Sequence, residues 1–459
     1  MKPDTDLVIR SQRLFFHGGE TRPVLFRLKQ LRLLKQQVKE RESLILEALC
    51  QDLNKPVFEA WVSEMALFYE EINMAISRLR RWARPEKIRT PIALEPAVSW
   101  VQPEPKGVVL IIGPWNYPFH LVMLPLVAAM AAGNCAVVKP SDKAGHTAQV
   151  VADLIGDTFP ASYLAVVQGP GSEMGPRLLE AHRFDHVFFT GSTEVGRRIL
   201  AMAAPNLSPV TLELGGKSPA VVMDDARLEV AARRIMWGKC YCAGQTCIAP
   251  DYLLVHERVK AELIRQMKRA LTEFYGPDPS QSDSYGRIIN QQRFDTLVRY
   301  LGEGRTRHGG QKDRDALYIA PTLLDDVTMK DRVMKEEIFG PILPVISFRD
   351  EDEVLAVIRK NPDPLALYLF TESRRKEQQI LNQVPFGGGC VNNCLIHAAN
   401  PYLPFGGVGT SGMGRYHGKA GFDLFSNRKN LMRSGTWIDP EMKYPPYDKK
   451  KLKLVKKLL

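Results

Sequence analysis

Short β-branched runs alternate with helical stretches from about residue 106 onward, and this alternation constrains the fold more than any other feature. Strand-like runs fall at 107–112, 135–138, 164–168 and 186–190, with helical patterns at 121–132, 151–159, 177–181 and 194–203. Strands joined through helices run parallel, so this order predicts a parallel sheet with helices on both faces. A second set of the same kind is expected to begin at 210–214 and to continue to about residue 395.

The first 85 residues predict helices, because leucines recur at helical spacing through 25–38 and similar patterns follow at 43–52 and 63–82. Five prolines between residues 85 and 105 end that pattern, and 93–101 is expected to form an extended arm or a hairpin. The longest apolar run, 121–132, is too short to cross a bilayer and predicts a buried helix.

The net charge of +11 is concentrated in the C-terminal tail, where residues 449–459 carry six lysines and no acid. The remaining chain carries only +5, so no nucleic-acid-binding surface is expected. Leu452, Val455 and Leu459 fall on one helical face among the lysines. That pattern favours peripheral contact with an anionic membrane, and a disordered, solvated tail is the alternative.

The chain has seven cysteines, an odd number, which indicates free thiols and a reducing, cytoplasmic setting. The N-terminus is polar and lacks the apolar stretch of a signal peptide. Cys240, Cys242 and Cys247 are not spaced as C-x-x-C, and no pair of histidines lies nearby at ligand spacing. We therefore expect no metal site.

Three residues from separate segments carry the chemistry. Cys247, after Gly244-Gln245-Thr246, is a candidate nucleophile, and a buried structural thiol is the alternative. Glu213 lies between leucines, a setting that raises a carboxyl pKa and suits a general base; a strand-end ion pair, for instance with Lys217, is the alternative. Asn116 follows a strand and could donate to an oxyanion, or could serve only as a turn residue. Together they supply what is needed to oxidise an aldehyde through a thioester.

Other segments suggest a dinucleotide site. Small residues around Gly191, Ser192 and Gly196 follow a strand and open a helix, where a phosphate could bind, or where Ser192 could merely cap the helix. Lys139 ends a strand and could bind ribose hydroxyls, or could be a solvated lysine. Glu337 and Phe339 would point the same way in a strand, so that one could bond a ribose and the other pack against a nicotinamide.

Seven motifs in register make the chain resemble the NAD(P)-dependent aldehyde dehydrogenase superfamily, from about residue 10 to residue 435. The short N-terminus and the segment 403–418 are similar to its class 3 branch, which includes fatty and aromatic aldehyde dehydrogenases. The motifs are Pro-Trp-Asn-Tyr-Pro (114–118), Val-Lys-Pro-Ser (138–141), Phe-Thr-Gly-Ser-Thr-Glu-Val-Gly (189–196), Glu-Leu-Gly-Gly-Lys-Ser-Pro (213–219), Gly-Gln-Thr-Cys (244–247), Glu-Glu-Ile-Phe-Gly-Pro (336–341) and Pro-Phe-Gly-Gly (404–407).

The resemblance implies roles for individual residues. Cys247 would be the nucleophile, Glu213 the general base, and Asn116 with the backbone N–H of Cys247 the oxyanion site. The residues expected to contact the cofactor are Lys139, Gly191, Ser192, Glu337, Phe339, Trp115, Asp142 and Gly196. Relatives commonly have Glu where this chain has Asp142, which weakens the expectation of strict NAD preference, so NAD or NADP is expected.

The resemblance also implies an α/β fold with a Rossmann-like cofactor domain (1–85 and 105–209), a second α/β catalytic domain (210–395), and a small β oligomerisation arm (86–104 and 396–440), followed by a basic tail (441–459). A homodimer is expected, because class 3 enzymes are dimers. The sequence does not fix the aldehyde, although Tyr117 and Phe405 are candidates for its funnel.

Three other functions remain open at this point. A CoA-acylating dehydrogenase would use CoA in place of water, but that branch typically lacks the glutamate found here at 213. A thiol esterase would need no cofactor, which leaves the phosphate turn and the Glu337/Phe339 pair without a purpose. A non-catalytic role would leave the whole set of catalytic residue types unexplained. Ester turnover with and without nicotinamide, compared with NADH formation from aldehyde, separates these functions.

Overall fold

The computed structural model describes residues 5–458, in which α-helices and β-strands are joined by turns and loops. A π-helical turn at Trp61–Ala66 joins the fourth helix to the fifth. The helices are α1 (Thr5–His17), α2 (Val24–Glu40), α3 (Glu42–Leu53), α4 (Val57–Ala60), α5 (Leu67–Trp82), α6 (His120–Ala132), α7 (Gly145–Thr158), α8 (Gly171–Leu179), α9 (Thr193–Ala203), α10 (Leu228–Cys240), α11 (Lys260–Tyr275), α12 (Gln291–Tyr300), α13 (Arg332–Lys335), α14 (Glu351–Ile358), α15 (Arg374–Gln383), α16 (Gly418–Leu424) and α17 (Lys449–Leu458).

The strands belong to two large sheets, one three-stranded sheet and one short pair. They are β1 (Glu86–Ile88), β2 (Ala97–Pro105), β3 (Val108–Ile112), β4 (Cys135–Lys139), β5 (Leu164–Val166), β6 (His186–Thr190), β7 (Val210–Glu213), β8 (Pro219–Val222), β9 (Tyr252–His256), β10 (Arg305–His308), β11 (Lys312–Asp313), β12 (Tyr318–Ile319), β13 (Thr322–Asp325), β14 (Ile342–Phe348), β15 (Ala366–Phe370), β16 (Gly388–Val391), β17 (Gly412–Met413) and β18 (Ser426–Ser434).

The first large sheet has the order β17-β7-β6-β3-β4-β5. Strands β3 to β7 pair in parallel, and only β17 runs antiparallel, so the predicted parallel sheet is confirmed. One strand was assigned wrongly: 210–214 was expected to open the second α/β set, but β7 pairs with β6 in the first sheet. Nothing in its local sequence distinguishes the two sheets, because both are built from similar apolar strands.

The second large sheet has the order β10-β13-β14-β9-β8-β15-β16 and is parallel except at β10. The long strand β2 pairs antiparallel with β1 and with β18, forming the three-stranded sheet between distant parts of the chain. This pairing places the arm predicted near residues 93–101 in a sheet with a C-terminal strand. The division of the chain into domains stays a prediction.

Separate apolar cores lie under the two large sheets. One packs the N-terminal helices and the first sheet around α6, whose residues are all buried, as predicted for the run 121–132. The other fills the second sheet and its helices. Helix α6 has no polar face because protein surrounds it on every side.

Within the described part of the tail, residues 449–458 form the helix α17, so the disordered alternative is wrong there. Leu452 and Val455 are partly or largely exposed on this helix, while Leu459 lies outside the described residues. Within residues 5–458, no helix combines the length and the apolar character that a membrane span requires.

Candidate active site

The candidate base and the candidate phosphate turn lie at the same edge of the first sheet. Thr190 and Glu213 are register partners at the carboxyl ends of β6 and β7, and the amide of Gly191 donates to the Glu213 carbonyl at 3.0 Å. Ligands of open parallel sheets bind at this edge, because the loops beyond the strand ends leave a crevice there.

Glu213 is buried, and neither carboxylate oxygen has a hydrogen-bond partner among the described residues. Burial raises the pKa of this carboxyl well above its ordinary value, and the charge of Arg415 offsets only part of the effect. The ion pair with Lys217 considered above is wrong, because Lys217 binds Asp251 instead. Glu213 is thus a buried carboxyl group without a hydrogen-bond partner among the described residues.

Cys247 follows a strained turn. Cys242, Ala243 and Gly244 all have positive φ (53°, 51° and 75°), and a Cβ on Gly244 would lie 2.3 Å from the carbonyl oxygen of Gly340. The buried Gln245 side chain holds this turn, donating to the carbonyls of Cys242 and Arg287 and accepting from the amide of Ile289. Strain of this kind persists where surrounding contacts enforce it, often at functional sites.

The Cys247 side chain is half-buried and borders two cavities of opposite character. The first, which we call the tunnel, has a volume of about 220 Å³. Among the described residues, no Asp, Glu, Lys or Arg side chain lines it. The wall includes Val62, Leu67, Tyr117, Leu121, Trp237, Ile248, Ile396 and Phe405.

The second cavity, which we call the cleft, has a volume of about 590 Å³ and carries both acids and bases. Leu121, Cys247, Phe405 and Tyr416 line both cavities, so they form the boundary between them. Tyr117 and Phe405, the candidates for the aldehyde funnel, both line the tunnel, and their role in binding the aldehyde stays a prediction. The wall of the cleft includes Trp115, Asn116, Lys143, Gly191, Ser192, Glu213, Gly215, Arg293, Lys335, Glu337 and Phe339.

Burial raises the pKa of the Cys247 thiol to about 12, and the nearby charges of Glu337 and Glu213 act in the same direction. The raised pKa favours the protonated thiol at neutral pH. Burial lowers the pKa of both His120 and His417 in the tunnel wall to about 3, so both imidazoles are neutral. The tunnel is uncharged at neutral pH as a result.

Asn116 is buried and lines the cleft, and its side-chain amide uses one of its two N–H donors. Its Nδ2 donates to the carbonyl of Gln245 at 2.9 Å, and an amide nitrogen has two hydrogens. The backbone carbonyl of Asn116 accepts a hydrogen bond from Lys55 Nζ at 3.0 Å. The bond to Gln245 leaves the second hydrogen on Nδ2 unused.

A buried ion pair holds the loop that carries Asn116. Lys55 Nζ lies 2.5 Å from Glu64 Oε1, and both side chains are fully buried. The other oxygen of Glu64 accepts from the amides of Phe119 and His120, both at 3.0 Å, at the start of α6. Sequence reasoning missed this pair, because neither residue lies in a recognisable motif.

The cleft has the features expected of a dinucleotide site. Ser192 is the N-cap of α9, and its hydroxyl accepts from the amide of Val195 at 3.4 Å, which places a helix N-terminus in the cleft wall. The buried Oγ1 of Thr190 and Oε1 of Glu337 have no partner among the described residues. A ligand with hydroxyl or amide hydrogens would give these two oxygens the partners that they lack.

The loop with Glu337 and Phe339 is not a strand, so that expectation is wrong. It follows α13 and precedes β14, and Phe339 has a φ of 49°. A Cβ on Gly215 would lie 1.9 Å from Glu337 Oε2, so the carboxyl rests directly on the Gly215 backbone. Phe339 makes an edge-on contact with Trp115 at 5.2 Å between ring centroids. Tertiary contacts, and not strand geometry, bring these two side chains into the cleft.

Three residues expected to contact the cofactor lie outside the cleft wall. Lys139 is buried, so the solvated-lysine alternative is wrong; its Nζ donates to the Pro140 carbonyl at 3.0 Å and lies 3.4 Å from Asp142. Asp142 itself is exposed. A Cβ on Gly196 would lie 2.5 Å from Leu214 Cδ2, which gives this glycine a packing role between α9 and β7.

Arg293, Lys143, Lys335 and Tyr416 line the cleft, but sequence reasoning did not assign them roles there. Arg293 Nη2 donates to the carbonyls of Glu337 and Ile338. No signal in the sequence links residue 293 to the loop 44 positions later. Within the described residues, no group of three His, Cys, Asp or Glu side chains is arranged to hold a metal ion.

Comparison with known proteins places this site in a family. The aldehyde dehydrogenase family profile matches residues 2–431. The chain is 46% identical over 446 residues to 4,4'-diaponeurosporen-aldehyde dehydrogenase of Staphylococcus aureus, covering 97% of this chain and 96% of that protein. It is 44% identical to human aldehyde dehydrogenase family 3 member B1, with coverage of 97% and 96%, and 41% identical to the rat dimeric NADP-preferring aldehyde dehydrogenase, with coverage of 95% and 97%.

Solved structures of aldehyde dehydrogenases have the same fold as this chain. The substrate-bound state of Staphylococcus aureus AldH superposes with a TM-score of 0.96 at 44% identity, covering 99% of each chain. An NAD-dependent aldehyde dehydrogenase of Sinorhizobium meliloti gives 0.87 at 28% identity, covering 96% of this chain and 89% of that one. Glyceraldehyde-3-phosphate dehydrogenase GapN of Methanocaldococcus jannaschii, complexed with NADP, gives 0.85 at 25% identity, covering 94% of each.

The family match and the relatives named as aldehyde dehydrogenases show that the chain is an oxidoreductase that uses a nicotinamide cofactor. The chain belongs to the aldehyde dehydrogenase family. It oxidises an aldehyde to the carboxylic acid with NAD or NADP.

Proposed function

We propose that Cys247 is the nucleophile and that its substrates are aldehydes with an apolar body. The observation that carries this proposal is the position of Cys247 at the boundary of the tunnel and the cleft. An uncharged tunnel binds an alkyl or aryl group without leaving a charge unpaired, since only apolar surface is removed from water there. The aldehyde carbon then meets the sulfur at the inner end of the tunnel.

The residues present in the cleft fit a dinucleotide. The N-terminus of α9 at Ser192 would hold the pyrophosphate, and Glu337 would accept from a ribose hydroxyl. Phe339 and Trp115 would flank the nicotinamide side of the cleft. When bound, the cofactor supplies a hydride acceptor. Lys143 in the cleft wall is a cation near the exposed Asp142, which supports acceptance of NADP as well as NAD.

The reaction begins when the Cys247 thiol gives its proton to water in the cleft. The sulfur then attacks the aldehyde carbon, and the carbon–sulfur bond forms as the π bond of the carbonyl group breaks toward its oxygen. The carbonyl oxygen becomes negatively charged and accepts from Asn116 Nδ2 and from the backbone N–H of Cys247. Loss of hydride from that carbon leaves a thioester on the sulfur. The raised thiol pKa means that the sulfur needs a proton acceptor or a nearby positive charge before it can attack.

Glu213 is the base for the second half of the reaction. A water molecule gives a proton to its carboxylate and adds to the thioester carbon, after which the carbon–sulfur bond breaks and releases the acid and the Cys247 thiol. This base supports hydrolysis over transfer to CoA. The polar side chains and the helix N-terminus in the cleft wall support a dehydrogenase over an esterase that uses no cofactor.

Glu213→Gln tests this assignment. The glutamine keeps the shape of the side chain but cannot take a proton, so rapid-mixing experiments should show a normal first burst of reduced cofactor and a slowed steady state. Trapped acyl-enzyme should be detected by intact-protein mass spectrometry. A steady state as fast as that of the unchanged protein removes Glu213 from this role, and Glu337 becomes the next candidate.

The pH dependence sharpens the same test. Only the ionised carboxylate can act as base, and burial raises the pKa of Glu213. Thioester hydrolysis should therefore accelerate as pH rises through the raised pKa of Glu213, at a pH well above the range in which an ordinary carboxyl titrates, and Glu213→Gln should lose that acceleration. An unchanged pH profile in the variant would assign the titration to another group.

We also propose a homodimer. The nine-residue strand β18 is largely exposed and lies at an edge of the three-stranded sheet, and such edges tend to pair with another chain. The rat relative that is named dimeric supports the same state. Size-exclusion chromatography with light scattering measures the mass directly, and a monomer at micromolar concentration would overturn this proposal.

We further propose that the enzyme is cytoplasmic and that α17 lets it contact an anionic membrane surface. Leu452, Leu454 and Val455 are partly or largely exposed among lysines. The full chain should float with vesicles containing phosphatidylserine, and a chain truncated after Tyr447 should not. Equal flotation of the two proteins would remove the helix from this role.

A further inference from the structure

The loop from Lys335 to Pro341 carries two groups proposed to seat the cofactor, yet it has little regular structure of its own. Strand β14 begins only at Ile342, and Phe339 adopts a left-handed conformation that a side chain disfavours. Such a conformation persists only if contacts from elsewhere hold it. The loop therefore needs fixed partners on both sides of Glu337.

One buried ion pair supplies partners on both sides. Lys217 Nζ lies 2.5 Å from Asp251 Oδ2 and donates to the carbonyl of Glu336 at 2.9 Å. The other oxygen, Asp251 Oδ1, accepts from the amide of Ile338 at 3.0 Å. The two side chains are only 5% and 4% exposed, so water competes weakly for these bonds.

The pair is anchored on rigid parts of the second sheet. Lys217 lies two residues before β8, and Asp251 directly precedes β9, the neighbouring strand. The amide of Asp251 donates to the carbonyl of Ser218 at 2.8 Å, which ties the two segments together. Lys217 also lies four residues after Glu213, with Gly215 between them against the Glu337 carboxyl.

We propose that Lys217 and Asp251 are positioning residues that fix the Glu337–Phe339 loop for the nicotinamide half of the cofactor. This role rests on the proposed function of Glu337 and Phe339. Neither side chain lines the cleft, although Lys217 borders an adjoining cavity that also includes Gly215 and Glu337. The contacts of the pair with the loop are to the backbone of Glu336 and Ile338, so we assign its action to the loop backbone. Hydride transfer requires a bound geometry held to within about 1 Å, since a misplacement of that size costs about 10²-fold in rate.

Lys239 provides a matched control. Its side chain is fully buried and its Nζ lies 3.9 Å from Asp251 Oδ1. No hydrogen bond joins it to the loop among the described residues. Lys239→Met removes a buried lysine beside the same aspartate and leaves in place the Lys217–Asp251 pair and its two contacts with the loop.

The experiment compares Lys217→Met, Lys217→Arg, Asp251→Asn and Lys239→Met in the full chain. We expect Lys217→Met and Asp251→Asn to slow the first burst of hydride transfer by about 10- to 100-fold and to weaken NAD binding. Lys217→Arg should recover part of the loss, because it keeps the charge. Ester hydrolysis without cofactor should change far less, since Cys247, Glu213 and Asn116 keep their places.

ADP provides a readout that a general structural defect would not spare. It lacks the nicotinamide ribose and ring, so its dissociation constant should be the same for Lys217→Met and the unchanged protein. The proposal is overturned if Lys217→Met slows hydride transfer no more than Lys239→Met does. It is equally overturned if ADP binding or ester hydrolysis falls in parallel. Asp251→Asn, which keeps an oxygen for the Ile338 amide, decides the matter if Lys217→Met does not fold.

Glu337→Gln and Phe339→Ala distinguish failure of this proposal from failure of the proposed function. If these two variants leave hydride transfer unchanged, the cofactor roles of the loop are wrong. If they slow it and Lys217→Met does not, the loop roles stand and the ion pair has no part in positioning it.

Discussion

The tunnel and the cleft meet at one sulfur but are built on different principles. The cleft collects acids, bases and a helix N-terminus at the carboxyl edge of the first sheet. The tunnel collects uncharged side chains from helices and loops scattered between Val62 and His417. The difference indicates a division of labour, in which the cleft recognises a defined polar molecule through fixed groups and the tunnel accepts a class of molecules through apolar burial.

The largest expected effect comes from removing the sulfur at which the two regions meet. Cys247→Ser should lower kcat with any aldehyde by at least about 10⁴-fold, because loss of a nucleophile that acts in concert with its partners removes nearly all catalysis. NAD binding, measured by fluorescence titration, should stay unchanged. Cys50→Ser, at an exposed thiol, is the control and should keep full activity. Substantial dehydrogenase activity in Cys247→Ser would break the comparison at its centre.

The next effect tests the boundary between the regions. Asn116→Ala should lower kcat by about 10²–10³-fold through loss of one oxyanion donor. The backbone carbonyl of residue 116 still accepts from Lys55, so the loop should keep its place. The thermal unfolding midpoint and the dissociation constant of NAD are the checks. A matching loss of cofactor affinity would show that the amide shapes the cleft and not the oxyanion site.

A change confined to the cleft should follow. A methyl group at Gly215 would displace the Glu337 carboxyl, so Gly215→Ala should slow hydride transfer by up to about 10²-fold. Ester hydrolysis without cofactor should hold. Gly145→Ala is the control, because a Cβ there meets no atom within 4 Å. Equal behaviour of the two variants would contradict the placement of Glu337 against the Gly215 backbone.

The smallest effect belongs to the tunnel. Each methylene buried there is worth about 0.8 kcal/mol, so kcat/KM for straight-chain aldehydes should rise about fourfold per carbon until the tunnel is full. The KM for NAD should not change along the series. Trp237→Ala, in the tunnel wall, should reduce the gain for the longest aldehydes. A flat response to chain length would mean that the aldehyde body lies outside the tunnel.

Sequence reasoning reached much of the cleft and little of the tunnel. Glu213 ends one strand, and Gly191 and Ser192 follow another. The carboxyl ends of parallel strands share one edge, so these residues could be expected to meet. The residues of the tunnel come from α5, α6, α10, a π-helical turn and several connecting segments that share no local pattern. Arg293 and the Lys55–Glu64 pair were missed for the same reason.

The sequence by itself determined the alternation of strands and helices, the parallel sheets and the family, because these depend on local periodicity and on motifs read in order. Only the tertiary structure decided that β7 belongs to the first sheet and that Glu337 lies in a loop held by Lys217 and Asp251. Tertiary structure alone also showed that Cys247 lies between two cavities. These features are contacts between residues far apart in the chain, and such contacts form only when the whole chain packs.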